Sequence, residues 1–159
     1  MILPCADVEN AVTALGALQP RHYVDVGAQV SGQIRQIAVG VGDTVNKGDL
    51  LFEIDPDIQQ ATVEANRATL DSLRAQLAER EAERDLARQL AERQQRMVAD
   101  EATSLEAVQV AEANLRVVEA RVKSLHAQIK GAQSTLQGNE ALLRYTRIYA
   151  PIAGTVVTL

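Results

Sequence analysis

The sequence predicts an α+β protein: a long antiparallel two-helix hairpin spliced between two parts of a small β-domain. Three observations predict it. A stretch free of proline runs from 57 to 150, and it lacks glycine until 131. Short β-forming runs punctuated by turns lie on either side of it. The helical stretch divides near its middle into two halves of nearly equal length.

Residues 1–22 are mixed, with an alternating stretch from Val12 to Leu18. Residues 23–56 read as β. Glycines stand at 27, 32, 40, 42 and 48, and Pro56 closes the zone. Between them lie Tyr23 to Val26, Ile34 to Val39 and Leu50 to Ile54, three short runs of strand formers. Gly42-Asp43 and Lys47-Gly48 are turn signals flanking Thr44-Val45. Strands this short need partners elsewhere in the chain. Residues 147–159 return to β texture and supply them.

Residues 57–146 read as the hairpin, with helices over about 57–99 and 104–145. In the second helix, Val108, Ala111, Leu115, Val118, Val122, Leu125, Ile129, Ala132, Leu136, Asn139 and Leu143 alternate spacings of three and four. A sustained 3.5-residue repeat is the seam of a left-handed coiled coil. The same template on the first helix gives Val63, Asn66, Leu70, Leu73, Leu77, Arg80, Arg84, Ala87, Ala91, Gln94 and Val98, a more polar seam. Glu64–Arg67, Asp71–Arg74, Glu81–Arg84 and Glu92–Arg96 are spaced to pair on a wet surface. Thr103 or Ser104 can cap the second helix, and Thr103 with Glu106 fits a capping box. At 1.5 Å per residue each helix is roughly 60 Å long. Equal helices and a short turn return the chain to its starting point, placing Tyr145 to Leu159 beside Tyr23 to Asp55.

Composition removes several function classes. Aromatics are 3% of the chain, Trp is absent, and the net charge is −5 with both signs interspersed. No basic stripe suits nucleic acid. The lone Cys5 allows no internal disulfide, and no stretch approaches a membrane span. His22 and His126 have no metal-ligand spacing around them. The expectation is a non-enzyme with no cofactor and no metal.

The β zones share a grammar. Gly42-Asp43-Thr44-Val45-Asn46-Lys47-Gly48-Asp49-Leu50 is followed by Glu53-Ile54-Asp55, and later by Ala150-Pro151-Ile152-Ala153-Gly154-Thr155. This resembles the biotinyl/lipoyl domain, with Gly32, Gly42, Asp43, Gly48, Pro151 and Gly154 as its structural motif. In the lipoyl family a modifiable lysine follows Glu-x-Asp. Here Pro56 stands there and has no amine to acylate, while Lys47 reads as a solvated turn residue.

A lipoyl-like domain interrupted by a helical hairpin resembles the periplasmic adaptors, or membrane fusion proteins, of Gram-negative efflux and secretion systems. Val24-Asp25-Val26-Gly27-Ala28-Gln29-Val30-Ser31-Gly32-Gln33 and Tyr145-Thr146-Arg147-Ile148-Tyr149-Ala150-Pro151 look most like the adaptors of macrolide-type ABC exporters. The resemblance implies a homo-hexamer in the periplasm, attached to the inner membrane. It would bridge an inner-membrane ABC transporter to a TolC-like outer-membrane channel. It also implies a tip motif for docking that channel, here Arg93, Met97 and Ser104, with Met in place of the family's Leu. Adaptors of proton-driven pumps, siderophore exporters and type I secretion are near alternatives, and a self-associating coiled-coil scaffold is a distant one. By the same resemblance, residues 1–22 belong to a membrane-proximal or β-barrel region, and 147–159 begin a second lipoyl half whose remainder lies beyond the sequence. Gly131 and Gly138, seven apart, give the second helix a smooth patch that a neighbouring copy could use.

Overall fold

The structure is a computed structural model, and it describes residues 22–159. The expectations for Cys5 and for the segment up to residue 21 lie outside the described residues. Seven elements follow in order: β1 (Ile34–Ile37), β2 (Thr44–Val45), β3 (Leu50–Ile54), α1 (Asp57–Ala99), α2 (Leu105–Arg144), β4 (Arg147–Tyr149) and β5 (Gly154–Thr155).

Two small sheets surround one core. β1, β3 and β4 form an antiparallel sheet with β3 in the centre, and β2 pairs antiparallel with β5. Each sheet therefore joins chain from before the hairpin to chain from after it. Val45, Leu51, Ile54, Ile148 and Ala150 fill the space between, with Val30, Val39, Phe52 and Val156 packed around them. Tyr23 to Val26 forms no strand. Its apolar side chains are exposed and no backbone ladder reaches them, so β propensity without a partner gives no strand.

The two Gly-Asp turns repeat one construction. Asp43 Oδ2 accepts from the Gly40 N–H at 2.7 Å, and Asp49 Oδ2 accepts from the Asn46 N–H at 2.7 Å. Gly42 and Gly48 hold φ of 94° and 95°, a backbone conformation that L side chains rarely adopt. The returning strand clamps each turn reciprocally. Gly42 N–H donates to Val156 and Val156 N–H donates to Asp43; Gly48 N–H donates to Ala150 and Ala150 N–H donates to Asp49. Gly32 is required for a different reason: a Cβ there would stand 2.6 Å from Ile54 Cγ2.

In the hairpin every position of both predicted seams is buried or half-buried, including Arg80 and Arg84. Three polar pairs tie the helices together. Arg67 reaches Glu140 at 2.7 Å, Gln95 reaches Glu112 at 2.7 Å, and Arg88 reaches Glu119 at 3.6 Å. Their residue numbers add to the same total in all three, so one register holds along the hairpin. Of the local pairs expected from spacing, only Asp71–Arg74 forms. Arg67 takes the cross-helix Glu140 instead of Glu64. Arg84 takes the adjacent Asp85, and Arg96 donates to the Glu92 carbonyl rather than its carboxylate. Exposed i,i+4 pairs gain only about 0.3–0.5 kcal/mol, so a nearby alternative easily displaces them.

Candidate functional site

The hairpin has two ends, and the chemistry of each follows from how its helices terminate. At the base, β3 runs into α1 through Asp55-Pro56. Proline suits a helix start because its missing N–H has no helical partner to lose. It cannot cap, so the Asp55 carboxylate accepts from the Asp57 N–H at 3.1 Å. The other strand of the base turns on Thr146, which is 1% exposed. Its hydroxyl donates to Leu143 O at 2.7 Å, and its carbonyl accepts from Ile54 N–H at 2.8 Å. Thr146 thus closes the last turn of α2 and fastens it to β3. Glu53 bonds Arg147 at 2.8 Å, and that bond, then the charge, raises the Arg147 guanidinium above its ordinary value. Thr146 did not stand out in the sequence, because short polar residues at helix ends are common; the pairing of β3 with β4 gives its carbonyl a partner in Ile54. Asp55 was read only as part of the Glu-x-Asp motif, and its bond to the Asp57 N–H is a local one.

At the tip, α1 ends in a Schellman arrangement. Ala102 N–H donates to Met97 O at 2.8 Å and Glu101 N–H donates to Val98 O at 3.1 Å. The residue between helix and loop that must take positive φ is Glu101, at 56°. Glycine is usual there, so the turn holds a strained residue. Ser104 then starts α2 from extended backbone (φ −86°, ψ 153°), and its hydroxyl accepts from the Ala107 N–H at 3.2 Å. This corrects the expected capping box. With Ser104 as the cap, the third helical position is Ala107, so Thr103 and Glu106 are out of register for the reciprocal bond.

The fold brings Arg93, Met97 and Ser104 to this one end. Arg93 and Met97 lie one turn apart on α1, and Ser104 sits across the loop. Arg93 is exposed and Met97 half-buried, and among the described residues Arg93 makes no ion pair. The sequence did not single out Leu86 and Leu90, which lie exposed beside Arg93 and line a shallow depression with it. They lie off the seam, and that was the available signal. The tip therefore presents a multidentate cation next to apolar surface, which suits recognition of another protein. Among the described residues no cluster of His, Cys, Asp and Glu could hold a metal. Among the described residues no helix is long and apolar enough to cross a membrane.

The motif residues at the base play a different part. Gly42, Asp43 and Gly48 form the clamped turns and Gly32 the close approach, as described. Pro151 follows buried Ala150, and Gly154 pairs with Val45 in β5 with open space where a Cβ would be. Lys47 is exposed in its turn.

A third surface is the outward face of the hairpin, opposite the seam. On α2 it runs from Val110 and Ala113 through Val117, Ser124 and Gly131 to Gly138, exposed and without a charged residue. On α1 the face nearer the base reads Ala61, Ala65, Ala68, Ser72 and Ala75, also exposed. In an isolated hairpin these positions are normally polar or charged.

Residues 22–159 match the family model described as the RND MFP barrel-sandwich hybrid domain. The chain belongs to this membrane fusion protein family. It is 60% identical over 152 residues to the pyoverdine export membrane fusion protein PvdR of Pseudomonas aeruginosa, covering 96% of this chain and 39% of that protein. It is 41% identical to the macrolide export protein MacA of Escherichia coli O157:H7, over 100% of this chain and 43% of that protein. Among solved structures it resembles MacA from Actinobacillus actinomycetemcomitans, with a TM-score of 0.80 and 39% identity over 85% of this chain and 42% of that one. The chain spans about two fifths of the length of the curated relatives it matches.

Proposed function

We propose that the complete protein is a periplasmic adaptor of a tripartite export system, attached to the inner membrane. It links an inner-membrane ABC transporter to a TolC-like outer-membrane channel and performs no chemistry itself. The observation that carries this is the hairpin: a stiff spacer about 60 Å long, held in one register, with its base knotted into the β-domain and its tip left chemically exposed. Arg93, Met97 and Ser104 are the docking residues for the channel. The outward faces without charge favour side-by-side assembly of copies, and a hexamer is the assembly proposed.

Between the two cargo classes the similarity favours a siderophore of the pyoverdine kind over a macrolide. Identity is 60–62% to two pyoverdine export proteins and 41% to the macrolide one. Macrolide export is the second reading, supported by the TM-score of 0.80 to a MacA structure. Deleting the gene and measuring secreted siderophore under iron limitation tests the choice. The expected result is loss of most secreted siderophore with unchanged macrolide tolerance. Unchanged siderophore with lost macrolide tolerance reverses the order.

A further inference from the structure

The two helices contribute unequally to the seam between them. On α1 its large apolar members are Val63, Leu70, Leu73 and Leu77, all nearer the base, and then only Val98 close to the tip. Between stand Arg80, Arg84, Ala87, Ala91 and Gln94. On α2 the seam stays apolar through this stretch. By the register of the three cross-helix pairs, Leu125 stands level with the two arginines. It is buried, as are its seam neighbours Val122 and Ile129.

Arg80 and Arg84 hold α2 weakly. Both are half-buried, and each directs its guanidinium to its own helix, Arg80 to Glu83 at 2.8 Å and Arg84 to Asp85 at 2.8 Å. That leaves only their aliphatic stems to cover the α2 seam, and a stem leaves such a surface readily because its charged head gains water. Polar ties are missing from the same stretch. Among the described residues none crosses the hairpin between Arg67–Glu140 and Arg88–Glu119, about 30 Å of helix. Two unfavourable features lie beyond the arginines, the orphaned buried Gln94 Oε1 and the left-handed Glu101. Release of this end of α1 relieves both.

We infer that Arg80 and Arg84 form a joint about halfway along α1. From there to Ala99 the helix lifts from α2 as one unit, while α2 remains a continuous apolar rail and the base half stays closed. Stability that varies along a structure in this way lets one segment open without the rest. A helix freed from its packing loses most of what keeps it helical, so the open segment is partly unwound. The consequence lies at the tip. Arg93 and Met97 ride on the part that lifts, whereas Ser104 starts the helix that stays. Their spacing therefore changes as the joint opens. The opening needs no partner; its use in fitting the tip to a channel rests on the adaptor reading above.

Hydrogen–deuterium exchange of the complete protein, read by mass spectrometry, tests the joint. A step in protection is expected at Arg80, with the amides beyond it exchanging about tenfold faster than those from Val63 to Leu77. Arg80→Leu with Arg84→Leu is expected to slow the distal amides about tenfold and leave the base half unchanged. Arg80→Lys with Arg84→Lys keeps stem and charge and is expected to exchange as the parent does. Even protection along α1, or a gradual rise toward the tip that the leucines do not alter, overturns the joint. A second readout, a photo-crosslinker at position 97 in living cells, separates the joint from docking. The leucine pair is expected to lower the yield of channel adduct severalfold with Arg93 and Ser104 intact. Slowed exchange with an unchanged adduct overturns the use of the joint in docking. An adduct absent from the parent protein as well overturns the docking reading itself and leaves the exchange result to decide the joint.

Discussion

Glu101 sits where the end of α1 demands a left-handed residue, and a side chain there costs roughly 1–2 kcal/mol relative to glycine. Glu101→Gly is therefore expected to raise the stability of the hairpin by about 1 kcal/mol, since the Schellman bonds are already in place. Denaturant unfolding followed by far-UV circular dichroism measures it; unchanged or lowered stability would mean the turn is not strained. The tip shows why single residues were the hardest part to read. Thr103 and Ser104 are both competent caps, and only the extended backbone at Ser104 decides between them. Thr146 looked like an ordinary helix-end residue until the pairing of β3 with β4 gave its carbonyl a partner in Ile54. The proposed docking trio rests on family resemblance alone, because a docking role is defined by a partner surface that no spacing within this chain encodes.

At the scale of the element, the helices were legible almost throughout. Heptad geometry admits only one buried stripe, so the positions named from Val63 to Val98 and from Val108 to Leu143 are all buried or half-buried. The exchange of ion-pair partners was not legible, because the cross-helix register chooses them. Polarity in the seam of α1 has a cost. Gln94 Oε1 is buried without a hydrogen-bond partner among the described residues. An orphaned buried acceptor costs about 1–3 kcal/mol, and Gln94→Leu is expected to raise hairpin stability by about 1 kcal/mol in thermal or denaturant unfolding. A loss of stability would contradict the cost assigned to the orphaned amide. The strands divide similarly. β3 was legible because it carries core residues, while Tyr23 to Val26 has the composition of a strand and no ladder to join.

For the whole molecule, the sheets and the hairpin meet at one junction. β3 pairs with β4 across the point where the hairpin leaves and returns, and Thr146 fastens the end of α2 to β3 there. The claim on which these parts converge is that the tip meets a channel in the outer membrane. Its most direct measurement replaces Met97 with a photo-crosslinking residue in the complete protein in living cells, with Gln60 at the base as the control. Ultraviolet exposure should yield an adduct with a TolC-like outer-membrane channel from position 97 and none from position 60. Export that continues with no channel adduct at 97, or with equal adducts from both ends, would refute docking by the tip.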